Sequence, residues 1–101
     1  MRDIITKKYE EFIELPFPQN LKGEEISGID LILLDNDFAA LTDKFISFKG
    51  HLKIKDIEIL KRCLIDLETV IKELSGLDKQ YFETSLNITI QVLKYINKNK
   101  I

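Results

Sequence analysis

An apolar repeat at steps of three and four residues constrains the fold of this chain more than any other feature of its sequence. The repeat is clearest in residues 54–74, where six side chains keep to it without a break: Ile57, Leu60, Leu64, Leu67, Ile71 and Leu74. Side chains spaced in this way lie on one face of an α-helix, whereas those of a half-buried strand alternate residue by residue. The segment is therefore predicted to be an amphipathic helix that ends at Ser75-Gly76.

The same repeat predicts a first helix over residues 3–14. Its buried face is expected to hold Ile5, Tyr9 and Phe12. Asp3 is placed to cap the first backbone N–H groups, which have no partner inside the helix. The Pro16-Phe17-Pro18 sequence ends this helix, because a proline excludes the helical conformation for the residue before it. Residues 19–28 then form an irregular connection, with a single helical turn predicted at residues 24–27. A loop of this length is either a binding loop or a crossing of the bundle, and both remain open.

A second helix is predicted to start between Ile29 and Leu33 and to stop at Gly50. Its apolar positions are Leu31, Leu34, Phe38, Leu41, Phe45 and Phe48. Residues 29–33 alone are also compatible with a strand, but the repeat beyond them favours a helix. The last helix is predicted from Asp78, its N-cap, to about Asn97. The predicted fold class is all-α: a compact single-domain antiparallel helical bundle of about four main helices plus a short turn of helix, covering residues 1–101.

The composition indicates a soluble cytosolic protein. The only cysteine is Cys63, so an internal disulfide framework is excluded and a reducing compartment is expected. The amino terminus leads into a charged helix rather than the apolar run of a signal peptide. No uninterrupted apolar stretch is longer than that of residues 31–34, whereas a membrane span needs about 20 residues.

Charge is distributed unevenly along the chain. Residues 10–43 carry nine acids and one base, Lys22, for a net charge of −8. Residues 44–101 carry eleven bases and seven acids. An acidic block of this kind favours a basic partner, although it could equally be the solvated surface of one part of the fold. Nucleic-acid binding is disfavoured, because the positive half mixes both signs instead of forming a basic stripe.

The residue types that carry catalysis or hold metals do not form a recognisable arrangement. The single histidine, His51, follows Gly50 in a predicted turn, and Cys63 lies among leucines in a helix, where a buried structural thiol is expected. The Asp35-Asn36-Asp37 sequence fails the calcium-loop pattern, because positions 5, 6 and 12 would be Ala39, Ala40 and Ile46. We therefore expect no enzyme activity, no cofactor and no metal.

Several short motifs, in order, resemble those of a family of small bacterial helical proteins: immunity proteins of contact-dependent growth inhibition and related toxin systems. They are Pro16-Phe17-Pro18, Gly23-Glu24-Glu25, Gly28-Ile29-Asp30-Leu31, Leu34-Asp35-Asn36-Asp37-Phe38-Ala39, Gly50, Leu52, Cys63-Leu64-Ile65-Asp66-Leu67, Tyr81-Phe82 and Leu86. The similarity extends from about residue 9 to residue 93, and Ala40 stands where a smaller residue such as glycine is expected. It implies a cytosolic protein that binds one cognate toxin domain, in many cases a nuclease, and blocks its active site.

That implication and the charge pattern together predict a contact surface. We expect it to consist of six carboxylates: Glu24, Glu25, Asp30, Asp35, Asp37 and, at its margin, Asp43. A nuclease active site holds phosphates and is therefore cationic, so clustered carboxylates would guide and orient the inhibitor. The expected partner is a basic toxin domain, with no nucleic acid and no membrane, and the free protein is expected to be a monomer. The alternatives are a scaffold that self-associates through apolar residues such as Ile59 and Ile65, or a regulator of another basic cytosolic protein.

Overall fold

The structure, a computed structural model, describes residues 2–99. Four α-helices make up most of this part of the chain. They are α1 (Arg2–Phe12), α2 (Leu31–Ser47), α3 (Ile54–Ile71) and α4 (Gly76–Lys98). A 3₁₀ turn at Gln19–Leu21 and a two-stranded antiparallel ribbon, β1 (Glu25–Ile26) and β2 (Ile29–Asp30), lie between α1 and α2. The predicted all-α helical bundle is therefore confirmed. None of the helices within residues 2–99 is both long and apolar enough to cross a membrane.

Successive helices run in opposite directions. The start of α1 meets the end of α2, where the Arg2 guanidinium Nη1 donates a hydrogen bond to the carbonyl oxygen of Lys49 at 2.6 Å. At the other end, Asn20 Nδ2 donates to Asp78 Oδ2 at 2.7 Å, which ties the irregular segment to the start of α4. The bundle thus has a hairpin end, with β1, β2 and the starts of α2 and α4, and a turn end, with the α2–α3 connection at residues 48–53.

The apolar stripes predicted from the sequence meet in one core. Phe38 is completely buried at its centre, with its ring 5.3 Å from that of Phe12 and 6.2 Å from that of Tyr9, both edge to face. α3 contributes a buried row that matches the predicted stripe only in part: Leu60, Cys63, Leu67 and Val70. Ile57 and Leu64 of the predicted stripe lie outside the core. Phe48 is the exception among the residues predicted for the buried face of α2. It lies just past the end of the helix and is 60% exposed.

The irregular segment contains a β-hairpin and not the helical turn predicted at residues 24–27. Ser27 and Gly28 both have positive φ angles, of 52° and 79°, which is the pattern of a two-residue type I′ turn. Such a turn matches the twist of its flanking strands, so Ile26 pairs with Ile29. The strand that competed with the helical prediction for residues 29–33 is present only at Ile29–Asp30.

The predicted N-caps of α1 and α4 are not the residues at which these helices begin. Asp3 and Asp78 lie inside the first turns of α1 and α4, so neither is the N-cap that was predicted. Asp30 instead caps α2, with its carboxylate Oδ1 accepting a hydrogen bond from the backbone N–H of Leu33 at 3.0 Å. α1 ends at Phe12, ahead of the prolines, as predicted.

Candidate functional site

The carboxylates closest to the hairpin end of α2 line a groove between α2 and α3. Asp30 and Asp37 are seven residues apart, or about two helical turns, so they lie on the same edge of the helix. Asp66 of α3 faces them, and Arg62 and Cys63 complete the polar lining of a groove of about 220 Å³. We call this the acidic groove. This edge of α2 faces α3 along its length. Lys44, seven residues after Asp37 on the same edge, forms an ion pair with Asp56 of α3 at 3.0 Å.

Negative charge predominates in this groove. Arg62 is the one cationic side chain among its described lining residues, against three carboxylates. No ion pair within 4 Å joins Arg62 to any of these carboxylates in residues 2–99. The groove therefore presents carboxylate oxygens to a ligand and is suited to a guanidinium or ammonium group.

The thiol of Cys63 lies in the lining of the groove and has a raised pKa. Burial raises its pKa to about 11, and the nearby charges of Asp37 and Asp66 act in the same direction, while Arg62 opposes them. A thiol with so high a pKa stays protonated, whereas a reactive cysteine needs a lowered pKa. The cysteine is 3% exposed, which confirms the predicted burial.

The hairpin extends the acidic region beyond the groove. Glu24 and Glu25 are both exposed, and Glu25 lies directly opposite Asp30 in the ribbon. The ribbon is held to α2 by a hydrogen bond from the N–H of Leu31 to the carbonyl oxygen of Glu24 at 3.2 Å. We use the term acidic surface for the five carboxylates that the fold gathers here: Glu24, Glu25, Asp30, Asp37 and Asp66.

Asp35 does not join the acidic surface, in contrast to the prediction. It lies two residues from Asp37 and therefore about 200° away around the helix, on the edge that faces α1 and α4. Its Oδ1 accepts a hydrogen bond from the hydroxyl of Tyr81 at 2.9 Å, and the side chain is half-buried. Burial raises the pKa of Asp35, and the hydrogen bond from Tyr81 acts against this rise. Asp35 is thus engaged within the fold.

Asp43 also lies apart from the acidic surface. It is exposed. The pKa of Tyr9 on α1 is raised mainly by the burial of Tyr9 itself, and the charge of Asp43 adds to this rise. The Tyr9 hydroxyl itself donates to the carbonyl oxygen of Ala39 at 3.0 Å, on the same edge of α2. Thirteen residues separate Asp43 from Asp30, or about 20 Å along the helix axis. Four of the six predicted residues, Glu24, Glu25, Asp30 and Asp37, therefore lie on the acidic surface, whereas Asp35 and Asp43 lie on the other side of α2.

Asp66 and Arg62 are the members of the site that reasoning from the sequence missed. They lie on α3, four residues apart, and so share one edge of that helix. Only the packing of this edge against α2 brings them to Asp37.

Of the two apolar residues considered for self-association, Ile59 lines the acidic groove and is half-buried, and Ile65 is 61% exposed.

The described side chains can bind a cationic group but do not assemble a metal site. Within residues 2–99, no group of three or more His, Cys, Asp or Glu side chains is placed to hold a metal ion. His51 is exposed at the turn end, on a different part of the molecule from the acidic surface. The arrangement can present fixed negative charge around a groove, which is the chemistry of a binding surface.

No protein-family model, curated protein or solved structure matches the chain. Membership of the immunity-protein family therefore stays a prediction from short motifs.

Proposed function

We propose that this chain is an immunity protein that acts in the cytoplasm, binds a cognate bacterial toxin domain and covers the toxin's active site with its acidic surface. The single observation that carries the proposal is a groove lined by three carboxylates and one arginine, with two further carboxylates on the adjoining hairpin. In this proposal the chain has no catalytic role and needs no cofactor. The sequence resemblance supplies the class of partner.

Electrostatics support a basic partner of the nuclease type. A site that holds phosphates is rich in lysine and arginine, and complementary charge on the inhibitor raises the association rate and fixes its orientation. The acidic groove is large enough for one long basic side chain, and an arginine can take a carboxylate through two parallel hydrogen bonds. Glu24 and Glu25 at the exposed rim would act mainly on the association rate and its salt dependence.

Two measurements test this proposal: survival of cells that express the adjacent gene's product with and without this chain, and calorimetric titration of the two purified proteins. Glu24→Lys with Glu25→Lys should weaken binding by more than about tenfold, equivalent to 1.4 kcal/mol, and the loss should shrink at high salt. The matched control is Glu10→Lys with Glu11→Lys, which makes the same charge change at exposed positions of α1.

Equal losses in the two double variants would mean that net charge alone matters and would overturn the assigned surface. Failure of the chain to protect cells, or no binding at all, would overturn the proposed function. Asp35→Lys is unsuitable for this test, because it would also break the hydrogen bond with Tyr81 and destabilise the fold. Sedimentation distinguishes the immunity protein from the self-associating scaffold. The proposal expects the free chain to stay monomeric at all concentrations, whereas a scaffold would associate as its concentration rises.

A further inference from the structure

A second groove lies on the other edge of α3, between α3 and α4 towards the turn end, and its character differs from that of the acidic groove. It has a volume of about 520 Å³. Its walls are mainly aliphatic: Ile54, Ile57 and Leu64 from α3, and Ile90, Leu93 and Ile96 from α4. We call it the apolar groove. Its floor continues into the core, because Leu93 and Ile96 pack against core residues.

Part of the apolar groove is exposed to solvent to a degree that is unusual for aliphatic side chains. Ile54, the first residue of α3, is 77% exposed, and the other five wall residues are half-buried. A continuous apolar strip between two helices marks a site where another element can dock. Because the strip extends from Ile54 to Leu64, it is about 15 Å long, which corresponds to about three turns of a docked helix.

The charges around the apolar groove indicate the character of its occupant. Lys61 of α3 and Lys94 of α4 stand on opposite walls, against one acid, Glu58. Neither lysine has a carboxylate within 4 Å in residues 2–99. Lys55 and Lys98, both exposed, each directly follow a residue that lines the groove at the same end. A ligand with carboxylates on either side of an apolar row would satisfy both walls.

We propose that the apolar groove docks an amphipathic helix of a partner protein, about three turns long, whose apolar row is flanked on both sides by Glu or Asp. A second copy of this chain is the less suitable occupant. In a two-fold symmetric contact, the same surface meets itself, so two grooves that each carry Lys61 and Lys94 against the single acid Glu58 would bring net positive charge to both sides. Like charges placed together disfavour such a pair.

This interaction is separate from the proposed inhibition of a toxin. The acidic groove uses Ile59, Arg62, Cys63 and Asp66 on one edge of α3, whereas the apolar groove uses Ile57, Glu58, Lys61 and Leu64 on the other. The two grooves also have opposite preferences for charge. Failure of either proposal therefore leaves the other intact.

The test uses a fluorescent synthetic helix of about 16 residues with leucines at i, i+3, i+4 and i+7 and glutamates beside them, together with a twin peptide that carries lysines in place of the glutamates. Fluorescence anisotropy with the full chain should give binding of the acidic peptide that is at least about tenfold tighter than that of the basic peptide. Lys61→Glu with Lys94→Glu should reverse this order, whereas Lys7→Glu with Lys8→Glu, at exposed sites on α1, should not.

A matched pair of apolar variants locates the site. Ile54→Ser should weaken binding of the acidic peptide about fivefold or more, since an exposed isoleucine that becomes buried on binding contributes more than about 1 kcal/mol. Leu77→Ser is the control, because Leu77 is 79% exposed but lies at the start of α4, at the hairpin end. Equal binding of the two peptides, or equal effects of the two serine variants, would overturn the proposal. So would a dimer in sedimentation equilibrium that Ile54→Ser dissociates, because the groove would then be a self-association surface.

Discussion

The hydrogen bond between Tyr81 and Asp35 provides the sharpest test of the difference between a carboxylate that serves the fold and one that is free to meet a partner. Tyr81→Phe removes only the hydroxyl. The ring is 8% exposed and is held by aromatic neighbours, including Phe12, with its centroid at 4.9 Å, and Phe82 at 5.2 Å. A phenylalanine at this position keeps those contacts, so the variant isolates the 2.9 Å hydrogen bond to Asp35.

The expected loss follows from the charge and burial of the acceptor. A hydrogen bond to a charged group contributes about 1.5–3 kcal/mol, and the half-buried position of Asp35 places this bond towards the lower end of that range. We therefore expect Tyr81→Phe to reduce the free energy of unfolding by about 1.5 kcal/mol. For a domain of this size, that corresponds to a fall in Tm of roughly 6–12 °C.

A double-mutant cycle measures the bond itself. Urea unfolding of the wild type, Tyr81→Phe, Asp35→Ala and the double variant should give a coupling energy of about 1–2 kcal/mol. The control cycle pairs Tyr9→Phe with Asp35→Ala. The Tyr9 hydroxyl donates to the carbonyl oxygen of Ala39, so its coupling to Asp35 should stay within about 0.5 kcal/mol. A Tyr81–Asp35 coupling below about 0.5 kcal/mol would refute this reasoning and return Asp35 to the residues available for binding.

Three further predictions address the pH dependence, the turn end and the start of α2. The native state raises the pKa of Asp35 above its ordinary 3.8, so this group contributes stability below that value and loses it as pH rises through the raised value. The stability of Asp35→Asn relative to wild type should therefore increase as the pH rises above about 4, and urea unfolding over a series of pH values checks this. Gly50→Ala should reduce the free energy of unfolding by at least about 1 kcal/mol more than Gly23→Ala, as measured by thermal unfolding. Both glycines have a positive φ, but only a Cβ at position 50 would meet the ring of Tyr95, at 2.7 Å, so equal losses would exclude this clash. Asp30→Ala should lower stability by about 1 kcal/mol, while Asp30→Ser keeps a capping oxygen and should lower it much less; similar losses by circular dichroism melts would show that the cap contributes little.

The helical class of this protein is largely a local property of its sequence. Each apolar stripe repeats within a few turns. The prolines at positions 16 and 18 exclude the helical conformation for the residues before them, whatever the tertiary structure. The core positions of α1 and most of those of α2 could therefore be predicted from the amino-acid order alone. For α3 the repeat predicted the helix, but only Leu60 and Leu67 of its six predicted positions are buried. Exact ends were harder to predict, because a cap depends on which polar side chain reaches a free N–H. Asp30 does so for α2, while Asp78 is engaged by Asn20 instead.

The composition of the candidate site depended on packing between distant segments. Sequence placed Asp35 and Asp37 together, but two residues along a helix are about 200° apart, so only the rotation of α2 in the bundle decides which of them meets α3 and which meets α4. Asp66 joined the acidic surface because α3 packs antiparallel against α2, a contact between residues far apart in the chain. The amino-acid order by itself determined four amphipathic helices and an excess of acid in the first half. The tertiary structure decided which carboxylates share a surface, because helix periodicity is set by local geometry, whereas neighbours across a groove are set by how whole helices orient on a common core.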